Sequence, residues 1–157
     1  MVVFMDNKLG LNEYKIKDIE NKIVNLKLSV IDEYFTFNES ELNFNYLEKL
    51  NKFLFCDIYE SIEVKEDVKN IINKYLYVII DMLVEGKENI EPVLNIIQDI
   101  WFLQPFVDGN TRTLIAYLII LNKTFDLGLN IDLNKEIESG VNTFNLNNFV
   151  NQKRLTK

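Results

Sequence analysis

The chain has no histidine, one cysteine, two prolines and five glycines among its 157 residues. Each scarcity excludes something. Without histidine there is no imidazole base, no histidine metal ligand and no imidazole pH sensor near neutrality. The lone cysteine, Cys56, cannot close a disulfide within one chain, and with no histidine beside it a structural zinc site is excluded too. Its apolar helical surroundings predict a small buried hydrophobe rather than a reactive thiol. Few glycines and prolines favour helices joined by short loops. No apolar run approaches the length of a membrane span, so no membrane partner is expected. Met1–Met5 lacks both the basic leader and the length of a signal-peptide core. The expectation is a cytoplasmic protein.

What is present is ordinary for a globular chain: 48% hydrophobic and 26% charged residues, enough to bury a real core. The length predicts one domain, 1–157. The net charge of −7, from 24 acidic and 17 basic residues, argues against nucleic acid as a partner. There is no basic patch to neutralise phosphates along a duplex. Abundant Asn, Ile and Lys read as the imprint of an AT-rich genome and carry no mechanism.

Helical spacing organises the chain. A first helix is predicted over about Asn12–Phe35, with Ile16, Ile19, Ile23, Leu26 and Val30 recurring at helical intervals. After an Asn38-Glu39-Ser40 loop, a second covers about Asn43–Tyr59. Its buried side is expected to carry Tyr46, Leu47, Leu50, Phe53, Leu54 and Ile58. Glu60, Glu63, Glu66 and Asp67 read as a solvated surface. A third helix runs over Asp67–Val84 and stops near Gly86. A fourth starts near Asn89, tolerates Pro92 in its first turn and ends before Pro105. A fifth, Arg112 to about Phe125, is apolar nearly all round and so belongs at the centre of the domain. Two short helices near Leu133–Ser139 and Leu146–Lys153 close the chain, and no strand pair is expected. Asn130-x-Asp132-x-Asn134 opens like a calcium loop, but Lys135 stands where the glycine is required, so it reads as a loop and helix cap. The fold class is all-α.

One stretch carries chemistry: Gln104-Pro105-Phe106-Val107-Asp108-Gly109-Asn110-Thr111-Arg112, directly before the apolar run Leu114–Leu121. Gly109 permits a tight turn with positive φ. Asn110 or Thr111 is a natural N-cap for the helix that follows. The free N–H groups of that helix start, with its dipole, form an anion site. Asp108 can hold Mg²⁺, which binds one or two carboxylates plus substrate phosphates. Arg112 can clamp a phosphate bidentately. A plain Asp-Gly-Asn turn with an N-cap is the alternative reading of the same residues.

The stretch resembles the signature of the Fic (Fic/Doc) family, His-Pro-Phe-x-(Asp/Glu)-Gly-Asn-x-Arg. Pro105, Phe106, Asp108, Gly109, Asn110 and Arg112 agree with it, and Thr111 fills the variable position. Gln104 stands where the family has its catalytic histidine, and Ile115 replaces a second arginine found in many members. Leu54-Phe55-Cys56-Asp57-Ile58-Tyr59-Glu60 is similar to the end of the family's upstream helix. Asn7-Lys8-Leu9-Gly10-Leu11, followed by Ile23–Leu28, is similar to its opening helix. The resemblance covers about 7–126, leaving 127–157 as C-terminal helices. It implies a helical bundle whose central buried helix follows the anion loop, with a small β-hairpin flap surviving at Ile62–Val64.

The resemblance further implies transfer of AMP from ATP to a hydroxyl of another protein. Asp108 would hold Mg²⁺, Gly109, Asn110 and Thr111 would cradle phosphates, and Arg112 would contact the phosphate tail. Gln104 cannot serve as the base, because its amide is non-basic near neutral pH; losing such a base typically costs ~10²–10⁴-fold. Active members are often restrained by a helix carrying (Ser/Thr)-x-x-x-Glu-(Gly/Asn). Here Glu20-Asn21 supplies the ending, but Ile16 occupies the first position, so Glu20 reads as an ordinary helix surface residue, with a relic inhibitory element as the alternative. Three functions follow. The first is a catalytically impaired Fic domain that still binds a nucleotide, a target protein or an antitoxin. The second is an active transferase with an atypical base or donor. The third is a helical interaction module, antitoxin-like or a scaffold, with no ligand.

Overall fold

The computed structural model describes residues 7–35, 43–86, 90–131 and 150–152. The expectations placed on Met1–Met5, Asn38-Glu39-Ser40, Asn89, Asp132, Asn134 and the Leu133–Ser139 helix lie outside the described residues. Among the described residues five α-helices account for the fold, and the expected all-α class holds. These are α1 (Glu13–Tyr34), α2 (Phe44–Phe55), α3 (Lys69–Val84), α4 (Glu91–Leu103) and α5 (Asn110–Phe125), with one 3-10 turn, Glu66–Val68, before α3.

The helix starts follow local chemistry. Asn12 caps α1 by accepting the Lys15 N–H, and Asn43 caps α2 by accepting the Asn45 N–H. Such caps satisfy donors that the helix itself leaves unpaired. Pro92 sits in the first turn of α4, where its missing N–H costs nothing. Ahead of α1, Asn7 closes a small turn through bonds to Leu11 O (2.9 Å) and Leu11 N (3.0 Å). Lys8 ties that turn to the end of α2, through its N–H to Ile58 O (2.6 Å) and its Nζ to Cys56 O (2.8 Å).

Helix α5 is the centre. Leu114, Ile115, Ala116, Tyr117, Leu118, Ile120 and Leu121 are all buried, and α5 packs against α1, α2 and α4. Burying one large apolar side chain contributes roughly 1.5–3 kcal/mol, so this run fixes where the preceding loop must sit. Helix α2 buries Phe44, Tyr46, Leu47, Leu50, Leu54 and Phe55, with Asn51 among them, while Phe53 is half-buried.

Several expectations need correction. On α1 the buried stripe is Ile16, Glu20, Val24, Leu28 and Ile31, whereas Leu26 is 69% exposed. The helix is rotated relative to the predicted face, so Glu20 points inward. Helix α2 ends at Phe55, and Cys56 is half-buried rather than buried. Val150–Gln152, expected in a helix, forms strand β2, antiparallel to β1 (Leu129–Ile131) with Asn130 opposite Asn151. The flap is not a hairpin among the described residues. Val64 instead makes an isolated antiparallel bridge with Phe106. Lys65 N–H donates to Pro105 O (2.8 Å) and Val107 N–H to Glu63 O (2.9 Å). The segment that would form the flap is therefore strapped onto the 104–112 loop. Among the described residues no helix is long and apolar enough to cross a membrane.

Candidate functional site

The candidate loop turns at two left-handed residues. Gln104 ends α4 at φ 47°, and Gly109 precedes α5 at φ 83°. Gly109 is there for two reasons. Its φ disfavours any side chain, and a Cβ would overlap the Phe55 ring, with Cζ only 2.7 Å away. Gly109 itself takes the N-cap position. The expected caps, Asn110 and Thr111, are instead the first residues of the helix, because the turn is completed one position earlier.

Asn110 is 6% exposed, and its side chain folds back across the loop. Its Oδ1 accepts the Phe106 N–H (2.9 Å), while its Nδ2 donates to Phe106 O (2.8 Å) and to Gln104 Oε1 (3.1 Å). Gln104 Nε2 donates to Trp101 O (2.7 Å). Both ends of the Gln104 amide are thus engaged inside the loop. Left-handed backbone costs a non-glycine residue roughly 1–2 kcal/mol, and two hydrogen bonds of about 1 kcal/mol each offset it. Trp101 Nε1 reaches Thr111 Oγ1 (2.9 Å), so the side chain of Thr111 also faces α4. Phe106 stacks on Phe44 at 5.4 Å between centroids, anchoring the middle of the loop in the core.

Asp108 Oδ1 accepts the Gly109 N–H (2.8 Å). Its backbone oxygen is met by Asn51 Nδ2 (3.3 Å), which also donates to Thr113 Oγ1 (3.1 Å). Among the described residues no three His, Cys, Asp or Glu side chains stand together to form a metal cage. One carboxylate fits Mg²⁺ carried in on phosphates, which needs only one or two protein ligands. It does not fit an ion held by protein alone.

Arg112 emerges from the first turn of α5 with its side chain 12% exposed, and it points to α1 rather than into solvent. Its Nη1 lies 3.4 Å from Glu20 Oε2, and its Nη2 donates to Asn21 Oδ1. Glu20 Oε1 accepts the Tyr59 hydroxyl at 2.7 Å. Burial pushes the Glu20 carboxyl above the ordinary glutamate range, against the Tyr59 hydrogen bond and the Arg112 charge, with the Asp108 charge adding to the rise. The Tyr59 phenol is raised as well, by burial and then by the Glu20 hydrogen bond.

The structure thus gathers Gln104, Asp108, Gly109, Asn110, Thr111 and Arg112 into one loop, since they are contiguous. It adds Asn51 and Trp101, which sequence reasoning left out, Tyr59, which it gave no role at the loop, and Glu20 and Asn21, which it read as helix surface and which are instead turned toward Arg112. For Glu20 a signal existed: a carboxylate interrupts an apolar stripe repeating every four residues, and a buried charge needs a partner. A groove of about 220 Å³ also opens beside the loop, lined by Asn51, Phe55, Tyr59, Ile62, Val64 and Phe106 among others. Gln104, Asp108 and Arg112 are not among its walls. The loop lends the groove Phe106 but none of its polar candidates. No family model matches the chain, and no curated protein or solved structure matches it.

Proposed function

We propose that the chain is a Fic-type domain, similar to protein adenylyltransferases, that keeps a phosphate-recognising loop and has lost the base that would make it efficient. The observation that carries this reading is the engagement of Gln104: its Nε2 is bound to Trp101 O and its Oε1 to Asn110 Nδ2. An amide is non-basic, and the oxygen of this one already accepts from Asn110 Nδ2. The nearby Lys65 Nζ is engaged with the backbone, donating a hydrogen bond to Leu103 O (3.3 Å). The recognising half is supported separately. Gly109 leads into a helix with no side-chain cap, Arg112 sits in its first turn, and Asp108 stands beside it. In this reading ATP is the nucleotide, Mg²⁺ arrives with it, and a target protein or antitoxin is the macromolecular partner. Protein and phosphates would be held in place, with little transfer.

A second reading, a helical interaction module without a ligand, draws on one observation. The Asp108 carboxylate already takes the Gly109 N–H, and Glu20 already faces Arg112. Titration of labelled ATP, with and without Mg²⁺, separates the two. Weak Mg²⁺-dependent binding with no AMP transfer to lysate proteins is the expected result. No binding, either by the natural chain or by a Glu20→Gln variant, would favour the module. Robust AMP transfer by the natural chain would overturn the impaired-enzyme reading and require an atypical base.

A further inference from the structure

The groove beside the loop takes no part in the proposed handling of phosphates. Its volume of about 220 Å³ is below the ~300–1,000 Å³ of pockets that enclose a drug-sized ligand, so it suits a group the size of one long side chain. Its walls are largely aromatic: Phe55, Tyr59 and Phe106 are all buried, and Ile62 and Val64 of the strap complete them. The Phe55 and Tyr59 rings, from the end of α2 and the turn after it, lie 6.4 Å apart between centroids. Aromatic faces carry negative charge density and attract cations.

One buried polar group opens into the groove. Asn51 is 4% exposed and forms part of the wall. Its Nδ2 donates to Asp108 O (3.3 Å) and to Thr113 Oγ1 (3.1 Å). Asp108 O is a carbonyl and can only accept, so the orientation of the amide is settled and both of its N–H groups are used. Oδ1 is left on the groove side, and among the described residues it accepts from nothing. A carbonyl oxygen between aromatic walls calls for a donor. The rim agrees in sign. Glu60 is exposed and has no ion pair among the described residues, Glu48 stands 3.7 Å from Lys69, and exposed Glu63, Glu66 and Asp67 continue along the chain. Among the described lining residues Lys52 is the one opposing cation.

We propose that the groove is a docking site for an alkylguanidinium, the side chain of an arginine presented by a partner protein. A guanidinium is planar and weakly hydrated, so it stacks on aromatic rings where an ammonium would keep its water. Its N–H donors match the acceptors present, Asn51 Oδ1 inside and the Glu60 carboxylate at the rim. Its apolar stem lies against Ile62 and Val64. The net charge of −7 draws such a group toward the surface. The acidic run beyond the groove favours an arginine within a basic segment over a free small guanidine, because flanking lysines then meet Glu63, Glu66 and Asp67.

The test titrates the ¹⁵N-labelled natural chain with two end-blocked peptides, Lys-Arg-Lys and Lys-citrulline-Lys. In the second a neutral urea replaces the guanidinium with little change of shape. The arginine peptide should bind saturably, shift the Asn51 Nδ2 and Phe106 amide resonances, and bind about tenfold tighter than the citrulline peptide. Free agmatine should bind more weakly than the arginine peptide, and equal affinity would overturn the partner protein as the source. Glu60 and Lys52 are exposed, so substitution there leaves the core intact. Glu60→Gln should weaken the arginine peptide by up to about fivefold, the scale of an exposed ion pair, and Lys52→Glu should tighten it by a similar factor. Equal binding of the two peptides, an Asn51 Nδ2 resonance that stays put at saturation, or unchanged affinity in Lys52→Glu would each overturn the proposal. Shifts confined to 63–67 would reduce it to a plain acidic surface and overturn the groove as the site. None of these outcomes depends on whether the loop binds phosphate.

Discussion

Arg112 in the first turn of α5 and Glu20 in the second turn of α1 face each other at 3.4 Å, 92 residues apart in sequence. The side chains are 12% and 8% exposed, so this is a buried pair rather than a surface one. Removing one partner of a buried pair leaves an uncompensated charge, which typically costs about 3–5 kcal/mol. Arg112→Ala is expected to destabilise the domain by that order. A urea unfolding curve for Arg112→Ala within experimental error of the natural chain would mean that the pair contributes nothing.

The pH dependence of the same pair has a definite sign. Burial holds the Glu20 carboxyl above its ordinary value in the folded chain. Between the unfolded and folded values, the folded protein keeps a proton that the unfolded one has lost. Stability therefore falls as pH rises through that window and stays lower above the folded value. Glu20→Gln has no proton to lose there. Relative to the natural chain, the variant should gain stability as pH is raised from below the ordinary glutamate range to neutrality. Urea unfolding across that range checks it, and the opposite trend would mean that the attraction to Arg112 outweighs desolvation.

Gly109 and Gly86 make a matched pair. Both have positive φ, 83° and 73°, but only Gly109 has heavy atoms where a Cβ would go. Gly86→Ala should cost only the left-handed penalty, roughly 1–2 kcal/mol. Gly109→Ala should cost that plus overpacking against Phe55, in total about 2–5 kcal/mol. Equal losses would show that the Phe55 ring yields without strain.

What was legible in the sequence was what neighbours in sequence decide. The turn at Gly109, the break of α4 before Pro105 and the central position of α5 all follow from residues within a few places of one another. What escaped was set by the rotation of one helix against another. Ile16, Ile19, Ile23, Leu26 and Val30 form a valid helical stripe, yet the face turned inward is the one carrying Glu20, Val24, Leu28 and Ile31. The two stripes differ by a modest rotation, and only packing against α2 and α5 chooses between them. Asn51 was overlooked for a related reason. An asparagine on an apolar helix carries no mark of its partners until the Asp108 oxygen and the Thr113 hydroxyl are brought to it. The flap failed differently: its backbone groups pair with the loop at Pro105 and Val107, which no local pattern in 60–65 announces.

Gln104 tests how far the first position of the loop is structural. Gln104→Ala removes the bonds to Trp101 O and Asn110 Nδ2 while keeping the left-handed strain. It should lower stability by about 2 kcal/mol, and by more than Gln104→Gly, which removes the strain together with the bonds. The same loss should weaken nucleotide binding by loosening Asn110, although Gln104 is not itself among the residues assigned to phosphate or Mg²⁺. Comparison of the two variants by urea unfolding and nucleotide titration decides it. If Gln104→Ala matches the natural chain in both, the two hydrogen bonds have no energetic weight.

Gln104→His bears on activity. The left-handed backbone at position 104 tolerates histidine better than most side chains, so the substitution should fold. An imidazole there would supply a base with a pKa near neutrality, the property the amide lacks. Two obstacles remain in the folded chain. Arg112 is turned to Glu20 and Asn21, and the Gly109 N–H is taken by Asp108. Gln104→His alone should therefore give weak transfer of labelled AMP to itself or to lysate proteins. Combined with Glu20→Gln it should give clearly more, because the arginine is then free to turn toward the phosphates. The base accounts for ~10²–10⁴-fold of rate, and the released arginine should add to it rather than replace it. A double variant that binds Mg²⁺-ATP yet labels nothing would place the defect elsewhere, at Ile115 or in the strap that ties 63–65 to the loop. A double variant no more active than Gln104→His would mean that Glu20 does not restrain Arg112 in solution.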